Sequence, residues 1–127
     1  MTERLTGDPA SPYEGRFGFS RVAVTGQFVH VGGTTSVDEH GVVQGASPHD
    51  QTILILRKIE HELQRGGATL EDVVQTRIYV TDMSRYEEVG RAHGEVFGEI
   101  KPLMTMVEVG GLVDPRMLVE IEAVAYV

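Results

Sequence analysis

The stretch "MLVEIEAVAYV", residues 117–127, decides the fold class, because it shows the most regular alternation of apolar and polar side chains in the chain. Successive side chains of a β-strand point to opposite faces of the sheet. One face of this strand therefore carries only small or branched apolar side chains, while the other carries Glu120 and Glu122 among apolar neighbours. We predict a strand with one face in the core and a second face that needs another partner.

A second strand is predicted just upstream, in "KPLMTMVEV", residues 101–109. Alternation divides its side chains into two sets. We interpret the first set as facing the core. The second set, with two methionines and a carboxylate, is interpreted as facing the other side of the sheet. The first set is Leu103, Thr105, Val107 and Val109, and the second is Met104, Met106 and Glu108.

A β-hairpin is predicted near the N-terminus, in "FSRVAVTGQFVHVGG", residues 19–33. Valine-rich runs flank residues 25–27, and β-branched runs on both sides of such a turn are typical of paired strands. Residues 41–44 are expected to add a short strand within a loop rich in turn residues. Residues 1–16 are polar and contain proline and glycine, so we expect an extended N-terminal segment.

A helix is predicted in "SPHDQTILILRKIEHELQRGG", residues 47–67. Ser47 is placed as the N-cap, Pro48 at the first helical position, and Gly66 just after the last turn, where glycine is favoured. Apolar side chains recur at helical spacing on one side. This apolar face contains Leu56, Ile59 and Leu63.

A strand and a second helix follow this first helix. Residues 71–82, "EDVVQTRIYVTD", alternate as a strand should. Ser84 and Glu87 have the spacing of a capping box, and the predicted helix ends at Gly98. One face of the strand is predicted to contain Val74, Ile78 and Val80, and the other Gln75, Arg77 and Tyr79.

The order of predicted elements is β-β-α-β-α-β-β. Residues 1–127 are enough for one domain with one sizeable core. This order predicts an α+β domain in which both helices pack on one face of a single mixed sheet.

The face of the sheet without helices combines apolar and charged side chains. This mixture is too apolar for a fully solvated surface and too charged for a dry core, so we predict a subunit interface with ion pairs and pockets at its edges. The predicted members are Phe19, Arg21, Ala23, His30, Arg77, Tyr79, Met104, Met106, Glu108, Glu120, Glu122, Val124 and Tyr126.

Composition excludes several functional classes. The chain has no cysteine, so thiolate catalysis, disulfides and cysteine metal ligands are excluded. Its net charge is −8, and its 11 Lys and Arg residues are scattered, which argues against a nucleic-acid partner. The five histidines lack metal-ligand spacing, and no glycine pair has a phosphate-loop context, so we predict neither a metal nor a cofactor.

The chain also lacks the sequence features of export or membrane insertion. No apolar run approaches the roughly 18 residues of a membrane helix, and the polar N-terminus does not resemble a secretory signal. We therefore predict a cytoplasmic protein without a membrane partner.

Several segments together resemble the RidA/YjgF family, whose members often carry the label endoribonuclease L-PSP. The resemblance rests on "EDVVQTRIYVTDMSRYEEV", "KPLMTMVEV", "MLVEIEAVAYV" and the early hairpin, and it covers residues 17–127. It implies a chorismate-mutase-like subunit that forms a homotrimer, with a central barrel of sheets and three clefts between subunits. Active members hydrolyse reactive enamines and imines to a keto acid and ammonia, using a glutamate and a carboxylate-binding arginine.

The resemblance places the family's site on particular residues of this chain. Glu120 falls on the catalytic glutamate, but Met104 falls where the family has its arginine. Phe19 replaces a cleft tyrosine, and Gly32 replaces a cleft serine; Met106 is a further candidate to line the cleft. Without the arginine, a substrate carboxylate loses its bidentate partner, so the small-molecule ligand is expected to differ from the usual imino acids.

Three functions remain open from the sequence. The first is a divergent cleft that binds or hydrolyses another small metabolite. The second is a ligand-binding or regulatory trimer without catalysis. The third is an imine deaminase that holds its substrate with a different residue, for which Arg21 and Arg77 are the candidates, although Glu120 and Glu122 also suit plain interface ion pairs with these arginines. His30 is a candidate site residue, while His93 is expected to pack on the apolar face of its helix.

Overall fold

A computed structural model describes residues 1–127 of the chain. It contains a six-stranded sheet with three helices, and short 3₁₀ turns precede β4 and α3. In chain order the elements are β1 (Thr2–Leu5), α1 (Pro12–Phe17), β2 (Val22–Thr25), β3 (Phe28–Thr34), α2 (Pro48–Arg65), β4 (Val73–Val80), α3 (Tyr86–Phe97), β5 (Leu103–Glu108) and β6 (Val119–Tyr126).

The strand order in the sheet is β1-β2-β3-β6-β4-β5. Neighbours are antiparallel except β4 and β5, which run parallel because α3 crosses over between them. The last strand of the chain therefore lies inside the sheet, between β3 and β4. The predicted mixed α+β fold is confirmed.

The core lies between the sheet and the two longer helices. α2 begins at the predicted cap, where Ser47 Oγ accepts a hydrogen bond from the Asp50 amide at 3.1 Å, and it ends before Gly66 as predicted. None of the helices has the length and apolar content needed to cross a membrane. The buried apolar residues that join α2 and α3 to the sheet include Val22, Val29, Val31, Ile55, Leu56, Ile59, Leu63, Ile78, Val89, Phe97, Val119 and Ile121.

The N-terminal segment, expected to be extended, contains two elements that the sequence pattern did not predict. β1 pairs with β2 at one edge of the sheet, and Leu5 packs against the core. α1 begins with a capping box, in which the buried carboxylate of Glu14 accepts hydrogen bonds from the amides of Gly7 and Ser11. With four and six residues, both elements are too short to show a clear periodicity.

The start of α3 also differs from the prediction. Asp82, not Ser84, is the capping residue, and its carboxylate accepts hydrogen bonds from the amide (3.0 Å) and hydroxyl (2.6 Å) of Ser84. This arrangement produces a 3₁₀ turn, and the α-helix begins at Tyr86. The predicted short strand at residues 41–44 is reduced to an isolated bridge between Val37 and Val43.

The predicted orientation of β5 is wrong. Pairing with β4 places Met106 beside Ile78 and Met104 beside Thr76, and both of these partners are buried on the helix side. Met104, Met106 and Glu108 therefore point to the helix side, and the other set of side chains points away from it. Alternation divides a strand into two sets, but at a sheet edge it cannot decide which set faces the core.

Val74 was predicted to share the buried face of β4, but it is exposed. The pairing of β4 with β6 shifts by one residue between Val73 and Gln75, so Val73 takes the buried position. We call the side of the sheet opposite α2 and α3 the open face. The main side chains on it are Arg4, Ala23, His30, Gln75, Arg77, Tyr79, Leu103, Thr105, Val107, Glu120, Glu122, Val124 and Tyr126.

Candidate functional site

Glu120 is a half-buried carboxyl group on the open face, where β6 pairs with β4 opposite Tyr79. On its other side, β3 departs from regular pairing between Val31 and Thr34. This irregularity contains Gly32 and Gly33, as glycines at bulges often do. A β-carbon on Gly33 would overlap Glu120 Oε2, so the missing side chain provides the space for this carboxylate.

Arg21 holds this part of β3 in place. Its guanidinium donates one hydrogen bond to the Gly33 carbonyl and another to Thr34 Oγ1, each 2.6 Å long. The Thr34 hydroxyl in turn donates to the Gly32 carbonyl at 2.8 Å, and the Gly32 amide donates to the Arg21 carbonyl at 2.9 Å. These four bonds fix the backbone against which the Glu120 carboxylate lies. We call them the Arg21 clamp.

The electrostatics of Glu120 suit proton transfer. Burial raises the pKa of its carboxyl group, the charge of Arg21 opposes this rise, and the charge of Glu122 adds to it. Desolvation is thus the dominant cause of the shift. A carboxyl group with a raised pKa can accept a proton and return it closer to neutral pH than an exposed one.

Lys58 supports the same region from α2. Its ammonium donates to the carbonyls of Thr35 (2.5 Å) and Val37 (2.9 Å), which lie just after β3. Burial, followed by repulsion from Arg21, lowers the pKa of Lys58 to about 8. Lys58 thus fixes the backbone of Thr35 and Val37, which follows directly after the Arg21 clamp.

Two cavities border the clamp on the open face. The first, of about 320 Å³, brings together the predicted site residues Phe19 and Gly32 with cationic and polar side chains; we call it the Phe19 cavity. The second, of about 160 Å³, contains Arg77 and Glu122, whose side chains form an ion pair at 3.5 Å. The polar and cationic side chains that line the Phe19 cavity with Phe19 and Gly32 are Arg4, Ser20, Arg21 and His30.

Sequence comparison assigns the chain to a family. Residues 11–127 match the sequence model described as Endoribonuclease L-PSP. The chain belongs to the L-PSP family. The resemblance to RidA/YjgF proteins is therefore confirmed over nearly the whole chain.

Individual relatives agree with this assignment. A crystal structure of a YjgF/YER057c/UK114 family member from Mycobacterium tuberculosis is 46% identical, covers 100% of both chains and superposes with a TM-score of 0.90. The 3-aminoacrylate deaminase RutC of Acinetobacter baylyi is 36% identical over 78% of this chain and 79% of its own. An uncharacterized protein of Streptomyces coelicolor is 34% identical over 91% of this chain and 87% of its own.

The site residues predicted for this L-PSP family member fall into two groups. Phe19 and Gly32 line one cavity, and Glu120 lies against the neighbouring Gly33. Met104 and Met106 lie on β5, at the edge of the sheet and on its helix side. One chain therefore does not bring Met104 to Glu120, because two strand spacings and the sheet itself separate their side chains.

The two histidines singled out in the sequence have different surroundings. His93 is buried, with its ring nitrogen 2.9 Å from Thr76 Oγ1 and its ring 4.8 Å from that of Phe97; burial lowers its pKa. This is the packing role predicted for it. His30 is exposed and lies between the two cavities.

Three residues of the site were missed from the sequence. The glycine pair at Gly33 inside a predicted strand was a usable signal, since such glycines often mark a bulge or a close approach of another group. Arg4 was missed because β1 was not predicted. Lys58 gave no signal, because a lysine on a helix is usually solvated.

Proposed function

We propose that this L-PSP family member is a homotrimer whose clefts bind a small imine or enamine, and that Glu120 catalyses its hydrolysis. We further propose that the substrate does not place a carboxylate at residue 104. The observation that carries the proposal is the environment of Glu120, a half-buried carboxyl with a raised pKa held against Gly33 and beside Arg21.

The proposed reaction needs only a water molecule and a carboxyl group that gains and loses a proton. Glu120 accepts a proton as water adds to the carbon of the C=N bond, and its carboxylic acid returns that proton to nitrogen, giving a carbinolamine. The carboxylate then takes the hydroxyl proton of the carbinolamine and passes it to the amino group, so that the C–N bond breaks and ammonia leaves as the carbonyl forms. An imine and one water thus give one carbonyl compound and one ammonia, and proton transfer of this kind contributes about 10²–10⁴-fold to a rate.

The identity of residue 104 limits the substrate class. A methionine offers no hydrogen-bond donor to a carboxylate. An anion bound beside it without a partner loses on the order of 2–5 kcal/mol relative to one held by an arginine. Simple α-imino acids, in which the carboxylate is attached to the reacting carbon, are therefore expected to be poor substrates.

The trimer is supported by the separation of the site residues. Met104 and Glu120 lie on opposite sides of the sheet of one chain, so a cleft that contains both needs a second chain. The open face also exposes large apolar side chains, as faces that become interfaces do. These include Leu103, Val107 and Tyr126, of which Leu103 is 72% exposed.

A second candidate function is hydrolysis of the family's carboxylate-bearing substrates despite Met104. The relative RutC, 36% identical, is described as a 3-aminoacrylate deaminase, and 3-aminoacrylate carries a carboxylate. This function requires another cationic residue as the anchor. Arg21 is restricted in this role, because two of its donors are already used in the Arg21 clamp.

Ammonia release from two freshly generated imines distinguishes these functions. One imine, made by an amine oxidase, has no carboxylate, and the other, made by an amino-acid oxidase, is 2-iminobutanoate. We expect the wild-type protein to accelerate decay of the first well above buffer and of the second only weakly. Equal acceleration of both favours the second candidate, and acceleration of neither leaves a binding protein and overturns the proposal.

A further inference from the structure

The Phe19 cavity has an unusual charge for this protein. The chain carries 19 acidic and 11 basic residues, yet no acidic side chain lines this cavity of about 320 Å³. Its lining instead includes Arg4, Arg21 and His30. Two arginines that line one cavity of an acidic protein favour binding of an anion at that place.

Arg4 has the donors that such an anion needs. It lies on β1, opposite Ala23 of β2, and its side chain is exposed on the open face. It forms no hydrogen bond and no ion pair with any other side chain of this chain. Its planar guanidinium is therefore free to donate two parallel hydrogen bonds to a carboxylate.

The other groups in the cavity complement Arg4. Arg21 adds positive charge, although its clamp bonds occupy part of its guanidinium. The Ser20 hydroxyl and the His30 ring can donate hydrogen bonds, and Phe19 offers an apolar wall for a carbon chain. The cavity thus combines a charged end with an apolar side, as small-molecule sites commonly do.

We propose that the Phe19 cavity is an anion subsite in which Arg4 holds a substrate carboxylate. The inference rests on the proposed function in taking the bound anion to be part of the substrate. In this subsite, Arg4 of β1 supplies the contact to a carboxylate that Met104 cannot make.

The position of Arg4 defines the substrate further. Across the sheet, Arg4 aligns with Ala23, His30 and Val124, and Val124 lies four residues beyond Glu120 on β6. At about 3.3 Å per residue, four residues of a strand span about 13 Å, and the three strand spacings from β1 to β6, at about 4.8 Å each, add about 14 Å across the sheet. The carboxylate at Arg4 is thus distant from the carbon that reacts at Glu120. The substrate class is an imine or enamine with a carboxylate at the far end of its carbon chain.

Two five-carbon ketones test the subsite by NMR titration of backbone amides at constant ionic strength. Levulinate has a carboxylate distant from its carbonyl, and pentan-2-one has the same chain length without charge. We expect levulinate to shift the amides of Phe19, Ser20 and Gly32 and to bind about tenfold more tightly than pentan-2-one, as a charge-assisted bond implies.

Substitutions test whether Arg4 causes the tighter binding of levulinate. Arg4→Gln should weaken levulinate binding about tenfold, Arg4→Lys should weaken it less, and Arg57→Gln, at another exposed arginine, should leave it unchanged. Equal binding of the two ketones, or no change in Arg4→Gln, overturns the inference. Because the titration needs no turnover, the subsite can stand if no imine is hydrolysed, and it can fail while hydrolysis is found.

Discussion

The carboxylate of Glu120 occupies the space beside Gly33 that a β-carbon at position 33 would fill. The contact joins a central strand to an irregular part of its neighbour, and Arg21 fixes that neighbour with two hydrogen bonds of 2.6 Å. Glu120 is therefore positioned by backbone geometry as well as by charge. Most consequences of the proposed site follow from this contact.

Gly33→Ala should displace the Glu120 carboxylate. A misplacement of a catalytic group by about 1 Å can cost about 10²-fold in rate, so we expect a loss of that order in imine hydrolysis. The matched control is Gly90→Ala in α3, where an added β-carbon meets nothing within 4 Å. It should keep full activity and raise the free energy of unfolding by up to about 1 kcal/mol. Equal activity in the two variants argues against a positioned carboxylate.

Glu120→Gln should change stability in a pH-dependent way. Because the pKa of Glu120 is raised in the folded state, the folded protein binds more protons than the unfolded one between the ordinary and the raised value. The free energy of unfolding then falls as pH rises through that interval, and the loss persists at neutral pH.

Glutamine resembles the protonated acid, so the variant avoids this loss. The free energy of unfolding of Glu120→Gln minus that of wild type should be larger at neutral pH than at a pH where Glu120 is protonated in both the folded and the unfolded state. Urea unfolding at the two pH values measures the difference. Glu71→Gln, at an exposed position, controls for removal of one negative charge. A difference of the opposite sign contradicts the raised pKa.

Arg21→Gln should raise the pKa of Glu120 further. The variant removes the positive charge that opposes the effect of burial, and it breaks the two bonds of the Arg21 clamp that the guanidinium donates. Because these acceptors are only part-buried, leaving them without donors should cost stability at the lower end of the range of about 1–3 kcal/mol for buried groups. A ¹³C NMR titration of the Glu120 carboxyl measures the pKa directly. Arg77→Gln, which leaves the clamp intact, is the control, and an unchanged Glu120 titration in Arg21→Gln refutes the assigned cause.

Met104→Arg should improve hydrolysis of 2-iminobutanoate. A restored guanidinium is worth about 2–5 kcal/mol to a carboxylate, which corresponds to about 30-fold or more in kcat/KM. Met104 is 44% exposed, so the longer side chain can be accommodated. Val113→Arg adds the same charge at an exposed loop position and should have no effect. Equal rates in both variants would mean that residue 104 does not face the cleft.

Much of the fold follows from local sequence patterns. The caps of α2, the hairpin turn and the alternation of β6 each depend on neighbouring residues, and the structure confirms them. The orientation of β5 was wrong because it is decided by pairing with β4, a contact between segments distant in the chain. β1 and α1 were missed because, with four and six residues, each spans fewer than three periods of its own pattern and shows no clear periodicity.

The candidate site also combines features that local sequence patterns predict with contacts between segments distant in the chain. Alternation placed Glu120 on the open face, and the family resemblance singled it out. Its contact with Gly33 depends on a shift in pairing between β3 and β6, and the role of Arg21 depends on a side chain that reaches across that shift. Such contacts are three-dimensional and leave little trace in a single sequence.

The most direct test of the account is the rate of ammonia release from a freshly generated imine without an α-carboxylate, compared between wild type, Glu120→Gln and Glu71→Gln. The account predicts that Glu120→Gln loses about 10²–10⁴-fold, because the general acid–base group is removed, while Glu71→Gln matches wild type. If Glu120→Gln hydrolyses the imine as fast as wild type, Glu120 is not the catalytic group and the central claim is wrong.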